Sequence, residues 1–312
     1  MSGFTQPLLV PSLKNILFAT DFSPSSQAAL PFLRAIAERY GSTVHVLHVL
    51  TPEPMLELPL DMPPELDADR VAAQFALNTL LAGKPFGNIA STATVARGPL
   101  WNVLAGFIEE RSIDLIVLGT HGRRGLRKLV LGSVAEQIFR LARCPVLTIN
   151  PHSAIAGKAP TRIAAILFAT DFSSGSHRAL PYAESLARTN HAHLILLHAV
   201  SAGAEIVPID LSAQEAAVEL PSEFAAQALA DAREQMAEMV SCGTIRELAP
   251  EIIVEYGAAA ETILSVAKSK QADLIVMGAH RAPGSLIASH LPWATASMVV
   301  CQAHCPVLTV RN

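Results

Sequence analysis

Residues 16–23 read ILFATDFS, and residues 166–173 repeat the same eight letters 150 positions further along the chain. Shorter matches follow in the same order, namely ALP at 29–31 and 179–181, DLIV at 114–117 and 273–276, and CPVLT at 144–148 and 305–309. The offset grows from 150 to 159 and then to 161, so the second copy contains insertions. The chain is therefore an internal duplication, and we expect one domain over residues 1–150 and a second over 151–312.

Each copy alternates short apolar runs with longer helical patterns, which is typical of an α/β fold. In the first copy the apolar runs predict strands near 15–20, 43–50, 90–96, 113–118 and 145–149. The segments between them predict helices near 24–40, 65–82, 99–111 and 133–142, since parallel strands need crossovers of about a dozen residues. Continuous Val, Ile and Leu runs indicate strands buried on both faces. We expect an open, parallel five-stranded sheet flanked by helices in each copy.

The composition excludes several classes of protein. Hydrophobic residues make up 51% of the 312 residues and charged residues 16%, which indicates a globular chain with sizeable cores. A net charge of -4 argues against a nucleic-acid partner. No apolar run reaches the ~18 residues of a membrane helix, and the first residues lack the features of a signal peptide. We therefore expect a cytoplasmic protein with no membrane partner and, with four cysteines, reduced thiols.

Two groups of potential metal ligands have simpler explanations. Cys301, His304 and Cys305 lie among apolar residues that favour a buried helix and strand over a metal site. His45 and His48 lie in the second predicted strand, where one alternating face could carry both. Hydrogen-bonded histidines are nevertheless favoured over a metal pair. We expect no metal ligands among these residues.

The segment after the fourth predicted strand has the features of a phosphate-binding loop. Residues 119–138 read GTHGRRGLRKLVLGSVAEQI, with Gly119 at the strand end and Gly132-Ser133 at the start of the next helix. Glycines allow the backbone to approach an anion, and the free N–H groups of a helix N-terminus favour phosphate. Positive charge is added by Arg123, Arg124, Arg127 and Lys128. The loop is suited to a polyphosphate at the carboxyl edge of the sheet.

The spacing Gly119-x2-Gly122-x9-Gly132-Ser133 resembles the nucleotide loop of ATP-binding members of the universal stress protein family. The resemblance extends to the opening strand that leads to Asp21, the second strand ending in His48-Val49, and the closing CPVLTI at 144–149. It covers nearly the whole chain, once per copy. It implies two tandem sheets of strand order 3-2-1-4-5, with the layering of flavodoxin-like and adenine-nucleotide-hydrolase-like proteins.

The same resemblance implies a ligand, a site and partners. The ligand would be ATP, with Mg²⁺ as a possible companion, bound by a regulatory protein of the stress response. The residues implied are Ala19, Thr20 and Asp21 at the base and ribose, Val49 at the adenine, and Gly119, His121, Gly122, Arg123, Gly132, Ser133 and Val134 at the ribose and phosphates. In the family the last strands commonly pair, so residues 145–149 and 306–310 are expected to join the copies as an internal pseudo-dimer. A homodimer of the chain is a further option.

Several alternatives stay open at this point. Asp21 could serve only as a helix-entry turn residue, and Ser133 could form a capping box with Glu136. Asp21 with bound Mg²⁺ could instead support a slow ATPase or phosphotransferase, although no obvious general base accompanies it. A structural module that binds partners without nucleotide is the third hypothesis. Flavin mononucleotide is disfavoured because no aromatic pair flanks the loop.

The second copy departs from the pattern. Gly278 is retained, but Arg281 stands where the second glycine should be, and the Gly-Ser pair is missing after a longer loop. Ala199 replaces Val49, while Asp171 persists. A side chain at 281 fills the space through which backbone N–H groups would reach phosphate. We expect no triphosphate binding there and a scaffold role for this copy.

Overall fold

A computed structural model describes residues 11–51, 68–120, 131–150, 163–201, 222–241, 244–279 and 292–311. The first repeat contains β1 Asn15–Ala19, α1 Pro24–Gln27, α2 Leu30–Tyr40, β2 Thr43–Leu50, α3 Ala68–Ala82, β3 Ser91–Arg97, α4 Leu100–Glu110, β4 Leu115–Gly119, α5 Ser133–Leu141 and β5 Val146–Ile149. The second contains β6 Ala165–Ala169, α6 Ser174–Asn190, β7 His193–Val200, α7 Ser222–Ser241, β8 Glu251–Tyr256, α8 Ala259–Ser269, β9 Leu274–Ala279, α9 Pro292–Gln302 and β10 Val307–Arg311. A short 3₁₀ helix, Thr244–Leu248, precedes β8.

The helix expected at 24–40 is two helices. Ser23 begins α1 as its N-cap, and its hydroxyl accepts a bond from the amide of Ser26. The chain then leaves the helix and re-enters it in α2, whose second residue is Pro31. Proline has no N–H to donate to the preceding turn, which weakens the helix there. The equivalent Pro181 lies inside the continuous helix α6.

The strands form one sheet with the order β3-β2-β1-β4-β5-β10-β9-β6-β7-β8. Within each repeat the strands are parallel and follow the order 3-2-1-4-5, as expected for this α/β class. The two expected sheets are joined because β5 and β10 pair antiparallel, Val146–Thr148 against Val307–Thr309. The pairing of the last strands is therefore as expected, and its result is a single continuous sheet.

Hydrophobic residues bury both faces of the sheet, as the continuous apolar strands predict. In β1, Ile16 and Phe18 point into one core, while Leu17 points into the other. Each core contains side chains of both repeats, so the interior is continuous across the β5–β10 pair. Two bonds on the surface add to this contact, between the hydroxyls of Tyr40 and Ser185 and from Arg39 to the Thr189 carbonyl.

The repeated DLIV motif has a structural role at the amino edge of the sheet. The carboxylate of Asp114 accepts the amides of residues 14–15 at 2.8 and 2.9 Å, which fixes the start of β1 beside β4. Asp273 does the same for residues 164–165 at the start of β6. In the described segments no helix is long and apolar enough to cross a membrane.

Candidate functional site

The candidate site lies where the strand order of the first repeat reverses, between β1 and β4. These strands are parallel neighbours, so Ala19 and Gly119 end at the same edge of the sheet. The helices that follow them, α2 and α5, pack against opposite faces of the sheet. In α/β proteins this arrangement places the ligand crevice at the carboxyl ends of the strands. The end of β2 and the start of α5 border the same edge. The described members of the predicted site are therefore brought together.

The turn after β1 is held by the side chain of Thr20. Its amide donates to the Leu47 carbonyl of β2 at 3.0 Å, and its hydroxyl accepts the amide of Phe22 at 3.0 Å. The same hydroxyl lies 3.0 Å from the Ser26 hydroxyl at the start of α1. Thr20 is buried, so its side chain stabilises the turn. A base contact from this residue would have to come from its backbone.

Asp21 follows at the half-buried rim of the crevice. The amide of Ser23 donates to its carboxylate at 3.0 Å, so the helix-entry function that the sequence allowed is present. Burial raises the pKa of the carboxyl, but hydrogen bonds from Ser23 and Ser26 outweigh it and leave the pKa below its ordinary value. Asp21 is therefore a carboxylate at neutral pH, able to accept a sugar hydroxyl or hold a cation.

Sequence reasoning missed the contact between Phe22 and His48. Phe22 has a φ of 62°, a left-handed conformation that is uncommon for a bulky residue. Its ring packs on the His48 imidazole with centroids 4.6 Å apart. The Nδ1 of His48 lies 2.7 Å from the Thr20 carbonyl, which requires the proton on that nitrogen. The pair holds the turn that carries Asp21.

The second repeat contains the same arrangement. Phe172 has a φ of 58°, its ring lies 4.4 Å from that of His198, and His198 contacts the Thr170 carbonyl at 2.8 Å. The Phe and His recur at the same offset of 150 residues. This recurrence could have predicted the contact, because a bulky residue present in both turns indicates that the two turns share one backbone conformation.

His45 does not share the face of His48, contrary to the expectation from the strand pattern. An odd separation along a strand places two side chains on opposite faces. The Nδ1 of His45 lies 2.9 Å from the Thr92 hydroxyl, and its Nε2 lies 3.3 Å from the Asn15 side chain. Within the described ranges no group of three or more metal-ligating side chains is assembled.

Gly119 is required by packing, not only by an approaching ligand. A Cβ at this position would lie 2.7 Å from the Ser25 carbonyl oxygen and 2.9 Å from the Ser26 amide. The equivalent Gly278 would meet Gly175 and Ser176 at 2.5 Å. The first helix of each repeat thus sits directly against the end of the strand. This contact explains why the second copy keeps this glycine.

The start of α5 differs from the capping-box interpretation. Gly132 is the N-cap, and its carbonyl accepts the first helical bond from the Glu136 amide at 2.8 Å. Ser133 is the first helical residue and is exposed, and no side chain of the described residues caps this end. The Gly132 amide donates to the Thr120 carbonyl at 2.9 Å, which ties the helix start to β4.

Within the described ranges, the next amides of α5 donate to no other group. The first N–H groups of a helix have no partner within the helix and carry its partial positive charge. Val134, at the second position, is 43% exposed, so this end opens to solvent. The apolar side of the crevice is formed by Ala19 and Val49, which pack with Ala96 on the rim of one core. Ala199 is the partly buried equivalent of Val49.

Three predicted residues, His121, Gly122 and Arg123, lie outside the described residues. The same is true of Arg124, Arg127 and Lys128, and of Arg281 in the second repeat. The described site therefore consists of its strand ends and its helix start. A carboxylate follows one of the two neighbouring strands, and a helix N-terminus follows the other.

Fold and site together define a doubly wound α/β protein with a ligand crevice at the reversal of strand order. The profile described as "Universal stress protein family" matches residues 12–150 and 163–311. The chain belongs to the universal stress protein family, and its two repeats are both members of it.

Two relatives in the family each match less than half of this chain. A universal stress protein of Methanocaldococcus jannaschii is 31% identical over 139 residues, which are 44% of this chain and 82% of that protein. Universal stress protein A homolog 1 of Coxiella burnetii is 31% identical over 141 residues, 44% of this chain and 95% of that protein.

Two solved structures match nearly the whole chain. A universal stress protein from Archaeoglobus fulgidus covers 95% of this chain and 98% of its own, with a TM-score of 0.65 and 20% identity. A putative universal stress protein from Pseudomonas aeruginosa covers 97% and 94%, with a TM-score of 0.63 and 18% identity. These similarities concern the fold.

Proposed function

We propose that the first repeat binds an adenine nucleotide, ATP with Mg²⁺, and that the protein acts in the stress response as a nucleotide-dependent regulatory protein. One observation carries this proposal. Asp21, an ionised carboxylate, follows β1, and the uncapped start of α5 follows β4, the parallel neighbour of β1, so both groups belong to the carboxyl edge at which the strand order reverses. A ligand with hydroxyls at one end and phosphates at the other matches both groups.

Each side of the crevice has a distinct chemical task. Asp21 would accept hydrogen bonds from the ribose or hold Mg²⁺ beside the phosphates. The amides of Ser133 and Val134 would receive phosphate oxygens, because charge and hydrogen bonding both favour anions at a helix start. Gly122 and Arg123 would complete the phosphate contacts by the loop pattern. The apolar rim at Ala19 and Val49 would receive the base.

Binding is proposed in preference to turnover. Hydrolysis needs a group that positions or deprotonates the attacking water. In the described site, Asp21 already accepts the amide of Ser23, and His48 is packed under Phe22 with Nδ1 committed to the Thr20 carbonyl. These arrangements support a site that holds its ligand, with occupancy as the regulatory signal.

The proposal assigns different functions to the two repeats, taken as residues 1–150 and 151–312. The second would bind no triphosphate, since its loop sequence lacks the second glycine and the Gly-Ser pair. Its contribution would be the sheet and cores it shares with the first repeat. We also propose a cytoplasmic location, which the small number of cysteines supports.

Calorimetric titration of the full chain with ATP and Mg²⁺ tests this proposal. We expect one site per chain, lost in Gly122→Arg, which imitates Arg281 of the second repeat. Asp21→Asn should weaken binding about tenfold, because a charged acceptor is replaced by a neutral one. Asp171→Asn is the matched control and should leave the titration unchanged.

Other outcomes are equally informative. Two sites in the native chain would contradict the asymmetry between the repeats. No binding in the native chain would overturn the nucleotide proposal and leave a structural module. Release of phosphate by the native chain, lost in Asp21→Asn, would replace a binding protein with a slow ATPase.

A further inference from the structure

Asn150 and Arg311 are equivalent residues that each bind the last helix of the other repeat. They follow the CPVLT motif of their repeats at the offset of 161 residues. The Asn150 amide donates to the carbonyls of Cys301 and Ala303, at 2.9 and 2.8 Å. The Nη1 of Arg311 donates to the carbonyl of Arg140, the equivalent of Cys301 by the same offset. The last helices are thus held reciprocally at their C-terminal ends.

The contact made by Arg311 is buried and charged. Arg311 is 7% exposed, and its guanidinium lies 5.2 Å from the centre of the Phe139 ring. Its bond goes to one of the last carbonyls of α5, which have no partner within the helix. A cation at this end complements the helix dipole, and burial limits the screening of its charge by salt.

Helix α5 connects this contact to the proposed phosphate end. Its nine residues span about 13 Å, so its two ends form one rigid unit. The first end is tied to β4 by the Gly132–Thr120 bond, and the last is fixed by Arg311. Amides that receive an anion work best when their positions are set before binding.

The equivalent contact in the other direction is neutral. Asn150 holds α9, and the segment before α9 lacks the Gly-Ser pair of the phosphate pattern. The cationic Arg311 therefore contacts the C-terminal end of α5, the helix that keeps the phosphate pattern at its start. The neutral Asn150 contacts the C-terminal end of α9, which has lost that pattern. The charged contact is thus made with the repeat that is predicted to bind phosphate, and the neutral contact with the repeat that is predicted not to bind it.

From this correspondence we infer that Arg311 of the second repeat is a positioning residue for the anion-binding end of α5 in the first repeat. The inference rests on the proposed function. The second repeat would thereby contribute to nucleotide binding. Its Arg311 side chain fixes the orientation of α5 and places a positive charge at the C-terminal end of this helix. Arg311 does not touch the ligand, which binds at the opposite end of α5.

Titrations of the full chain with ATP and with AMP, each with Mg²⁺, test the inference in Arg311→Met. We expect ATP affinity to fall about five- to tenfold and AMP affinity less than twofold, because only the additional phosphates meet the helix charge in full. Asn150→Ala is the matched control, which removes the reciprocal contact. It should lower the melting temperature and leave ATP affinity within twofold of the native chain.

If Arg311→Met does not fold, a second variant and hydrogen exchange of the native chain test the same positioning role. Arg311→Lys retains the charge without the planar stack on Phe139 and should restore part of the ATP affinity. In the native chain, ATP should slow amide hydrogen exchange along α5 as far as residues 139–141.

The outcomes separate this inference from the proposed function. Native binding of ATP with equal losses for ATP and AMP in Arg311→Met would overturn the positioning role alone. Protection that stops at the first turn of α5 would overturn it as well. A native chain that binds no ATP would overturn both.

Discussion

Thr148 of β5 and Thr309 of β10 make the same hydrogen bond in opposite directions. Thr148 donates its hydroxyl to the Val307 carbonyl at 3.1 Å, and Thr309 donates to the Val146 carbonyl at 3.2 Å. The two threonines are equivalent in the repeats, and their strands pair antiparallel about Leu147 and Leu308. The join between the repeats is therefore a local two-fold arrangement within one chain.

Loss of either hydroxyl should destabilise the chain by a similar amount. Thr148→Val and Thr309→Val each remove one buried hydrogen bond while keeping the branched shape, so about 1 kcal/mol is expected for each. Urea unfolding followed by circular dichroism measures the change. A large effect of one variant beside no effect of the other would contradict the symmetry of the join.

Gly119→Ala should destabilise the fold before any ligand is added. The new methyl group would lie 2.7 Å from the Ser25 carbonyl oxygen, and separating backbone segments costs about 1–3 kcal/mol. Gly106→Ala is the control, because no atom lies within 4 Å of its added Cβ in α4. That variant should gain about 0.5–1 kcal/mol from helix propensity. Equal melting temperatures for the two variants would refute the packing role of Gly119.

Asp21 should contribute to stability above its unfolded pKa and lose that contribution in acid. Hydrogen bonds from Ser23 and Ser26 hold its folded pKa below the unfolded value of about 3.9, despite burial. The carboxylate therefore stabilises the native state at neutral pH, and the effect fades as the pH falls below about 4. Asp21→Asn keeps an acceptor but not the charge. Unfolding curves from pH 2.5 to 7 should converge for the two proteins at the acid end, and parallel curves would exclude this linkage.

Cys144 and Cys305 should resist alkylation in the native protein. Burial raises the pKa of the Cys144 thiol to about 11 and that of Cys305 to about 12. At pH 8 the reactive thiolate is therefore scarce for both residues, and burial also restricts access to Cys305. Iodoacetamide labelling with peptide-resolved mass spectrometry should show modification over hours in buffer and within minutes in urea. Rapid labelling without urea would mean that these segments open readily.

The arrangement of the strands was predictable from the sequence, while several side-chain contacts were not. The order of strands and the carboxyl edge follow from the repeat, the buried strands and the family resemblance. Thr20 is predicted to contact the base and ribose side, and the structure adds that its hydroxyl holds the turn. Ser133 was considered as a cap, but the helix begins one residue earlier at Gly132. These side-chain contacts depend on the distances between segments of the folded chain, and a local sequence pattern does not predict those distances.

The backbone conformation of Phe22 is the clearest example of a feature that the sequence did not predict. Nothing in the letters DFS favours a left-handed phenylalanine, and local preference opposes it. The conformation exists because the ring packs on His48, 26 residues further along, whose imidazole binds the carbonyl of Thr20. A tertiary contact thus overrides the local preference.

The duplication, the α/β class, the strand segments and the difference between the two loop patterns are all evident in the amino-acid sequence. These properties depend on repeated letters and on the alternation of apolar runs, which are local or directly comparable. Three features emerge only from the three-dimensional arrangement: the repeats share one sheet, Gly119 makes room for α1, and Arg311 binds α5 of the other repeat. Each of these depends on segments far apart in the chain meeting within a few ångströms, and burial gives those meetings their energetic weight.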